Sequence, residues 1–180
     1  MVLIKNKAIF LDRDGVINEV VFHESDKPSS PWTFSEFKLL PGIKEPLEEL
    51  NKMGFFLFMI SNQPDISRGF IEKGITEKIN QIIYDNFPIK EVLICPHDNH
   101  HYCNCRKPKP GMIFELSKKY DIDIKKSFLI GDNWKDTGAG QKAGCKTIIL
   151  NKNYNQTVDA DYRTENLSTA VKLIKSLKIN

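Results

Sequence analysis

Short runs of apolar residues alternate along the chain with longer stretches whose apolar residues recur at helical spacing. A short continuous apolar run is typical of a strand buried on both faces of a parallel sheet. In the stretches between, apolar positions fall three or four residues apart, as on one face of an amphipathic helix. Strands are predicted at residues 7–11, 55–60, 91–94, 127–130 and 147–150.

Helices are predicted after each of these strands. Pro41 and Gly42 open the first helix and Gly54 ends it, while Ser168 is the predicted cap of the last one. The apolar faces are Ile43, Leu47 and Leu50; Ile75, Ile79, Ile82 and Ile83; Ile113, Leu116 and Tyr120; and Leu167, Val171, Ile174 and Leu177, with a short small-residue helix at 137–143. This alternation predicts an α/β fold, a Rossmann-like three-layer sandwich with a central, mainly parallel sheet. We expect one domain over residues 1–180.

Two segments interrupt the alternation. Residues 17–37 have no clean periodicity and contain Pro28 and Pro31. A loop of this length in a compact domain is usually functional or disordered, so we interpret it as a flap over the site described below. His23, Lys27 and Trp32 are its candidate substrate contacts, although each could equally be a surface or packing residue. The second insertion is a cysteine-rich loop at 95–105.

Composition narrows the functional classes. The chain has 180 residues with 41% hydrophobic and 27% charged content, which is typical of a soluble globular protein. A net charge of +3 is too small, and the lysines too scattered, to indicate nucleic-acid binding. We see no membrane span and no signal peptide, so we expect a cytoplasmic protein. Since no exposed apolar helix face stands out, we expect a monomer.

Polar side chains follow three of the predicted strands and one crossover. Because strand ends converge at one edge of a parallel sheet, groups distant in sequence can meet there. Two carboxylates after the first strand, next to a glycine that permits a sharp turn, could ligate Mg²⁺, and an aspartate can also carry a phosphoryl group. Taken alone, this acidic pair could be a solvated turn. The groups are Asp12 and Asp14, Ser61, Arg106 and Lys107, and Asp132 and Asp136.

The cysteine-rich loop carries a possible metal site. Cys95-x-His97 and Cys103-x-Cys105 offer three sulfurs and one imidazole within a short segment. Without a secretory signal, such clustering favours a metal over disulfides, and this donor set suits a closed, structural Zn²⁺ site. His100 and His101 also lie in the loop and could replace His97. Cys145 is expected to be a small core residue.

These motifs resemble the haloacid dehalogenase (HAD) superfamily of phosphatases. The shared features are DxDGV at 12–16, an apolar strand ending in Ser61, a lysine before a crossover helix, and GDxxxD at 131–136. The phrases FLDRDGVIN, SNQ…RGF, CxH…CxC followed by RKPKPGM, and GDNWKD resemble heptose 1,7-bisphosphate phosphatases and their histidinol-phosphatase relatives. That subfamily has a minimal cap and a zinc-holding loop, which strengthens the Zn²⁺ assignment.

The resemblance implies a role for each matching residue. Asp12 would be the nucleophile and a Mg²⁺ ligand, and Asp14 the general acid and base, with its backbone carbonyl on Mg²⁺. Asp132 would be a Mg²⁺ ligand supported by Asp136. Ser61 and Lys107 would hold the phosphoryl oxygens, with Lys109 as the competing lysine. The implied substrate contacts are Arg106, Asn62, Gln63 and His23.

The implied activity is Mg²⁺-dependent hydrolysis of a sugar phosphate, most specifically D-glycero-D-manno-heptose 1,7-bisphosphate. Histidinol phosphate is the alternative substrate, and a non-catalytic phosphosugar-binding protein is an alternative of another class. Three features depart from the subfamily pattern. The flap is longer, the cysteine loop is shorter, and Asp65 stands where we expect glycine or another small residue.

Overall fold

The computed structural model describes residues 5–24, 27–71 and 74–177, so residues 25–26 of the predicted flap lie outside the described residues. Within these ranges, six parallel strands form one sheet in the order β3-β2-β1-β4-β5-β6. The strands are β1 (Lys7–Leu11), β2 (Phe55–Asn62), β3 (Ile89–Cys95), β4 (Phe128–Gly131), β5 (Lys146–Leu150) and β6 (Tyr162–Thr164).

Helices cover both faces of this sheet, which confirms the predicted three-layer α/β architecture. One apolar cluster packs α1, α3 and α6 against one face, and a second packs α4 and α5 against the other. Ala8, Ile9, Phe10 and Leu11 of the central strand are completely buried between the two clusters. The helices are α1 (Lys44–Lys52), α2 (Pro64–Ser67), α3 (Ile75–Asn86), α4 (Gly111–Lys119), α5 (Trp134–Ala143) and α6 (Leu167–Ser176).

The structure differs from the predicted elements in four places. The edge strand β6 was not predicted, since Tyr162-Arg163-Thr164 contains no apolar run. The short helix α2 also escaped prediction. The cap of α6 is Asn166, whose side chain accepts from the Thr169 amide, so the prediction of Ser168 is wrong. Helix α5 begins at Trp134, three residues before the predicted start, because Asn133 and Asp136 form a capping box.

The flap has little regular structure but is joined to the sheet edge. Val21 and Ser29 exchange two backbone hydrogen bonds of 2.9 and 2.8 Å, which form a narrow antiparallel bridge within the flap. A second bridge joins Asn18 to Leu39. The flap is thereby returned over the carboxyl end of β1. Among the described residues, no helix is both long and apolar enough to cross a membrane.

Candidate active site

Strand β1 ends in a tight turn that presents two carboxylates at the edge of the sheet. Gly15 has a φ of +81°, a conformation that side chains other than glycine rarely adopt. A Cβ atom at this position would also lie 2.0 Å from Oδ2 of Asp132. Glycine therefore allows Asp132, from the end of β4, to approach the turn that carries Asp12 and Asp14.

Lys107 is the buried cation of the site. Its Nζ lies 2.8 Å from Asp12 Oδ1 and 2.6 Å from Asp136 Oδ1, and it donates to the Ile60 carbonyl at 2.8 Å. Burial alone would lower the pKa of Lys107, but the two carboxylates outweigh this effect and raise it. Lys107 is therefore held in its charged form between the ends of β1 and α5.

The backbone of Lys107 is fixed by Asn62, at the end of β2. The Asn62 side-chain amide donates to the Lys107 carbonyl and accepts from the Lys107 amide, both at 3.0 Å. Lys109 lies elsewhere, because its exposed ammonium donates to the Cys103 carbonyl. Of the two lysines considered from the sequence, Lys107 is the one that contacts the carboxylates.

Three carboxylates gather around this lysine. Ligand oxygens of Asp12, Asp132 and Asp136 lie within 4.8 Å of one another. Burial, and then the charge of Asp136, raise the pKa of Asp12 to about 7, while burial and the same neighbour raise the pKa of Asp132 well above its usual range. One lysine cannot neutralise three carboxylates, so this set of hard oxygen ligands fits a divalent cation such as Mg²⁺.

Two residues from the loop after β5 hold Asp132, and we did not identify either from the sequence. The hydroxyl of Tyr154 donates to Asp132 Oδ2. Buried Asn155 donates to the carbonyls of Asp132 and Leu150 at 2.7 and 2.8 Å. Tyr154 and Asn155 lie in a polar stretch without periodicity, so no pattern marked them as part of the site.

The carboxylate of Asp14 has four polar partners. Arg13 and Asn18 lie 3.1 and 2.9 Å from its Oδ1. Gln63 and Ser30 donate to its Oδ2 at 2.7 and 2.8 Å. The same Gln63 amide group also contacts the Ser61 hydroxyl at 2.8 Å. These contacts orient the carboxylate beside Asp12.

A cavity of about 340 Å³ opens above these groups. Asp12, Asp14, Asn62, Lys107, Asp132 and Asp136 are on its floor and wall, and its basic lining residues are Lys27, Arg68, Arg106 and Lys135. Gln63 and Ser61 are buried beneath it. The predicted contact His23 does not line the cavity. It lies 3.1 Å from the Ser30 carbonyl and stacks on Trp32.

The four predicted zinc ligands converge in one cluster beside this cavity. Sγ of Cys95 lies 3.6 Å from Sγ of Cys103 and 3.1 Å from that of Cys105. His97 Nδ1 lies 3.7 Å from Cys95 Sγ and 3.3 Å from Cys105 Sγ. Four ligands around one Zn²⁺ lie roughly 3.3–3.8 Å from each other, so residues and spacing fit the metal.

The metal-type cluster is connected to the cavity through Arg106. The Arg106 guanidinium donates to the His97 carbonyl and to Asn99 Oδ1, both at 2.9 Å. Asp98 lies near Arg106 and accepts from Arg68 Nε at 2.7 Å. The cysteine loop therefore fixes the position of two arginines on the cavity wall.

Known proteins resemble this chain along most of its length. A D-glycero-beta-D-manno-heptose-1,7-bisphosphate 7-phosphatase of Pasteurella multocida is 34% identical and aligns with 96% of this chain and 98% of its own length. A D-glycero-alpha-D-manno-heptose-1,7-bisphosphate 7-phosphatase of Campylobacter jejuni is 33% identical, with coverage of 97% and 99%. The chain belongs to the family of HAD-like phosphatases. The HAD-hydrolase-like family model matches residues 104–174.

The solved structures agree with this membership. The D,D-heptose 1,7-bisphosphate phosphatase of B. bronchiseptica, crystallised with magnesium and phosphate, matches with a TM-score of 0.78 and 25% identity over 95% of this chain and 99% of that one. As a HAD-like phosphatase, the chain is a phosphoric monoester hydrolase, which confirms the predicted enzyme class. The non-catalytic alternative loses its support.

Proposed function

We propose that this HAD-like phosphatase removes one phosphate from D-glycero-D-manno-heptose 1,7-bisphosphate and leaves the heptose monophosphate. The observation that carries the proposal is the contact of Lys107 with Asp12 at the floor of a cavity with a basic lining. The substrate rests on relatives named for both anomers at 31–34% identity. Position 7 is the phosphate that the names of these relatives specify.

Asp12 is the proposed nucleophile. One of its carboxylate oxygens attacks phosphorus, the bond from phosphorus to the sugar oxygen breaks, and Asp14 gives the leaving oxygen a proton. Water then attacks the phosphorus of the aspartyl phosphate, Asp14 takes the proton, and inorganic phosphate leaves with Asp12 restored. Lys107 and Ser61 hold the phosphoryl oxygens, and such fixed donors supply much of the catalysis of phosphoryl transfer.

Asp12, Asp132 and the Asp14 backbone carbonyl are the groups that would hold Mg²⁺, with Asp136 in support. When bound, Mg²⁺ neutralises the phosphate dianion that would otherwise repel a carboxylate nucleophile. Lys107 contributes the fixed positive charge on the other side of Asp12. The burial that raises the pKa of Asp12 favours this assignment, because a second cation would return the carboxylate to its ionised form.

The cavity lining suits a substrate with two phosphates. Arg106 is the proposed contact for the group that is not hydrolysed, and Zn²⁺ held by Cys95, His97, Cys103 and Cys105 is proposed to fix its position. We propose that Asn62, Gln63 and His23 support the site, because their polar groups are occupied by Lys107, Asp14 and Ser30. The monomeric state and the cytoplasmic location remain predictions.

The test is release of inorganic phosphate with Mg²⁺ across a matched panel. The panel contains both anomers of heptose 1,7-bisphosphate, histidinol phosphate, fructose 1,6-bisphosphate and an aryl phosphate, with Asp12→Asn as the blank. We expect the highest kcat/KM for one heptose anomer and only background release by the variant. Preferred turnover of histidinol phosphate would replace the proposed substrate, and activity that survives in Asp12→Asn would remove the proposed nucleophile.

A further inference from the structure

Asp65, in the short helix α2, connects the flap to the cavity wall. Its side chain is 6% exposed and accepts from three side chains. Oδ2 accepts from Trp32 Nε1 at 2.9 Å and from Ser29 Oγ at 3.3 Å, both in the flap. Oδ1 accepts from Arg68 Nη1 at 2.9 Å. A buried carboxylate with three donors is a specific contact, since one unpaired would be costly.

The Trp32 ring is also held on both of its faces. Its centroid lies 3.5 Å from the His23 ring and 4.6 Å from the Phe70 ring, with interplanar angles of 11° and 17°. His23 comes from the flap and Phe70 from the segment after α2. The hydrogen bond from Asp65 and this stack therefore fix the same flap segment to the β2–α3 connection.

The residue between these flap contacts reaches the proposed general acid. Ser30 is buried and its hydroxyl donates to Asp14 Oδ2 at 2.8 Å. The other three side chains that contact Asp14 in the described part of the chain, those of Arg13, Asn18 and Gln63, present N–H groups, which can only donate. Ser30 alone among these four carries a group that can either donate or accept.

This difference matters for a residue that alternates between two protonation states. Ionised Asp14 is well served by four donors. Protonated Asp14 carries an O–H that needs an acceptor, and a rotated Ser30 hydroxyl supplies one until the proton passes to the leaving oxygen. Ser30 therefore suits both states of Asp14, provided that the flap stays in place.

We propose that Ser30 is a positioning residue for the acid–base cycle of Asp14, and that Asp65 holds Ser30 there through Ser29 and Trp32. The inference rests on the proposed roles of Asp12 and Asp14. The long flap and Asp65 are both departures from the subfamily pattern, and in the structure they bind each other. The two departures thus form one device on the catalytic site.

The kinetic test compares leaving groups. Rapid-quench measurement of leaving-group release isolates the step in which Asp14 donates its proton. An alkyl sugar phosphate needs that proton, whereas an aryl phosphate has a leaving group that departs with little protonation. Since positioned acid catalysis contributes about 10²–10⁴-fold, we expect Ser30→Ala to slow the sugar substrate at least about tenfold, the aryl phosphate less than about threefold, and KM little.

Matched variants separate this role from general damage to the flap. Ser30→Thr keeps the hydroxyl and should restore most of the rate, and Ser35→Ala removes an exposed flap hydroxyl as a control that should change nothing. Asp65→Ala should reproduce the effect of Ser30→Ala, and the double variant should be no slower than the slower single variant. Equal losses on both substrates, or additive losses in the double variant, would overturn the proposal.

A second measurement does not depend on activity. The indole N–H signals of Trp32 and Trp134, the two tryptophans of the chain, can be followed by hydrogen exchange in NMR spectra. Asp65→Ala should remove the protection of Trp32 and leave exposed Trp134 unchanged, while Asp85→Ala, an exposed carboxylate on α3, should alter neither. Unchanged protection of Trp32 would overturn the proposed contact. An inactive wild-type enzyme with a protected Trp32 would instead refute the proposed function.

Discussion

Replacing Lys107 by methionine tests the electrostatic core of the site. Methionine keeps an unbranched side chain of similar length, so the change removes mainly the charge. The lysine side chain is 2% exposed, and its ammonium contacts Asp12, Asp136 and the Ile60 carbonyl. Removing one partner of a buried ion pair costs about 3–5 kcal/mol of folding free energy, because the remaining charge is left without compensation.

Urea denaturation at pH 7.5 in the presence of a chelator measures this loss. We expect Lys107→Met to lose about 3–5 kcal/mol. Part of the loss should return with Mg²⁺, since a divalent cation neutralises the same carboxylates, and part should return at pH 5, where protonation of Asp12 removes charge. Phosphatase activity should fall by at least about 10²-fold even in variant protein that is fully folded.

Lys109→Met is the matched control, two residues away. Its ammonium is exposed and donates only to the Cys103 carbonyl among the contacts in the described residues, so we expect a loss of about 1 kcal/mol or less. A loss below about 1 kcal/mol for Lys107→Met, or equal losses for the two variants, would refute the compensation of the buried carboxylates by Lys107.

Two further predictions concern the metals. Zinc should co-purify at one ion per chain, and Cys105→Ser should lower both zinc content and thermal stability, as measured by elemental analysis and calorimetry; a metal-free protein of unchanged stability would contradict this. Because the folded-state pKa of Asp12 is raised to about 7 from 3.8, the metal-free protein should lose stability as the pH rises towards 7. Apparent Mg²⁺ affinity by titration calorimetry should rise about tenfold per pH unit up to about pH 7, and a pH-independent affinity would contradict it.

The central sheet could be predicted because burial on both faces leaves continuous apolar runs. Strand β6 could not, because an edge strand such as Tyr162-Arg163-Thr164 needs no such run. The predicted cap Ser168 lies two residues past the actual cap, Asn166, because both residue types satisfy free helical amides and the pattern does not separate them. Such local choices depend on where the preceding chain arrives.

The groups of the site that follow strands could be predicted, since topology alone brings Asp12 and Asp132 together. Tyr154 and Asn155 could not be predicted, because they reach Asp132 from a loop whose path the sequence pattern does not define. The contact of Asp65 with Trp32 joins residues 33 positions apart in two irregular segments. Supporting contacts of this kind follow from the tertiary fold, whereas motif spacing records only the groups at strand ends.

Trapping the phosphorylated enzyme tests the central claim most directly. Turnover of heptose 1,7-bisphosphate with Mg²⁺ is quenched with acid, and borohydride then reduces an acyl phosphate to an alcohol that peptide mass spectrometry can locate. We predict the reduced side chain at position 12, in the peptide that contains Asp12 and Asp14, and none in Asp12→Asn. Reduction at Asp14, or efficient turnover with no modified aspartate, would contradict the account.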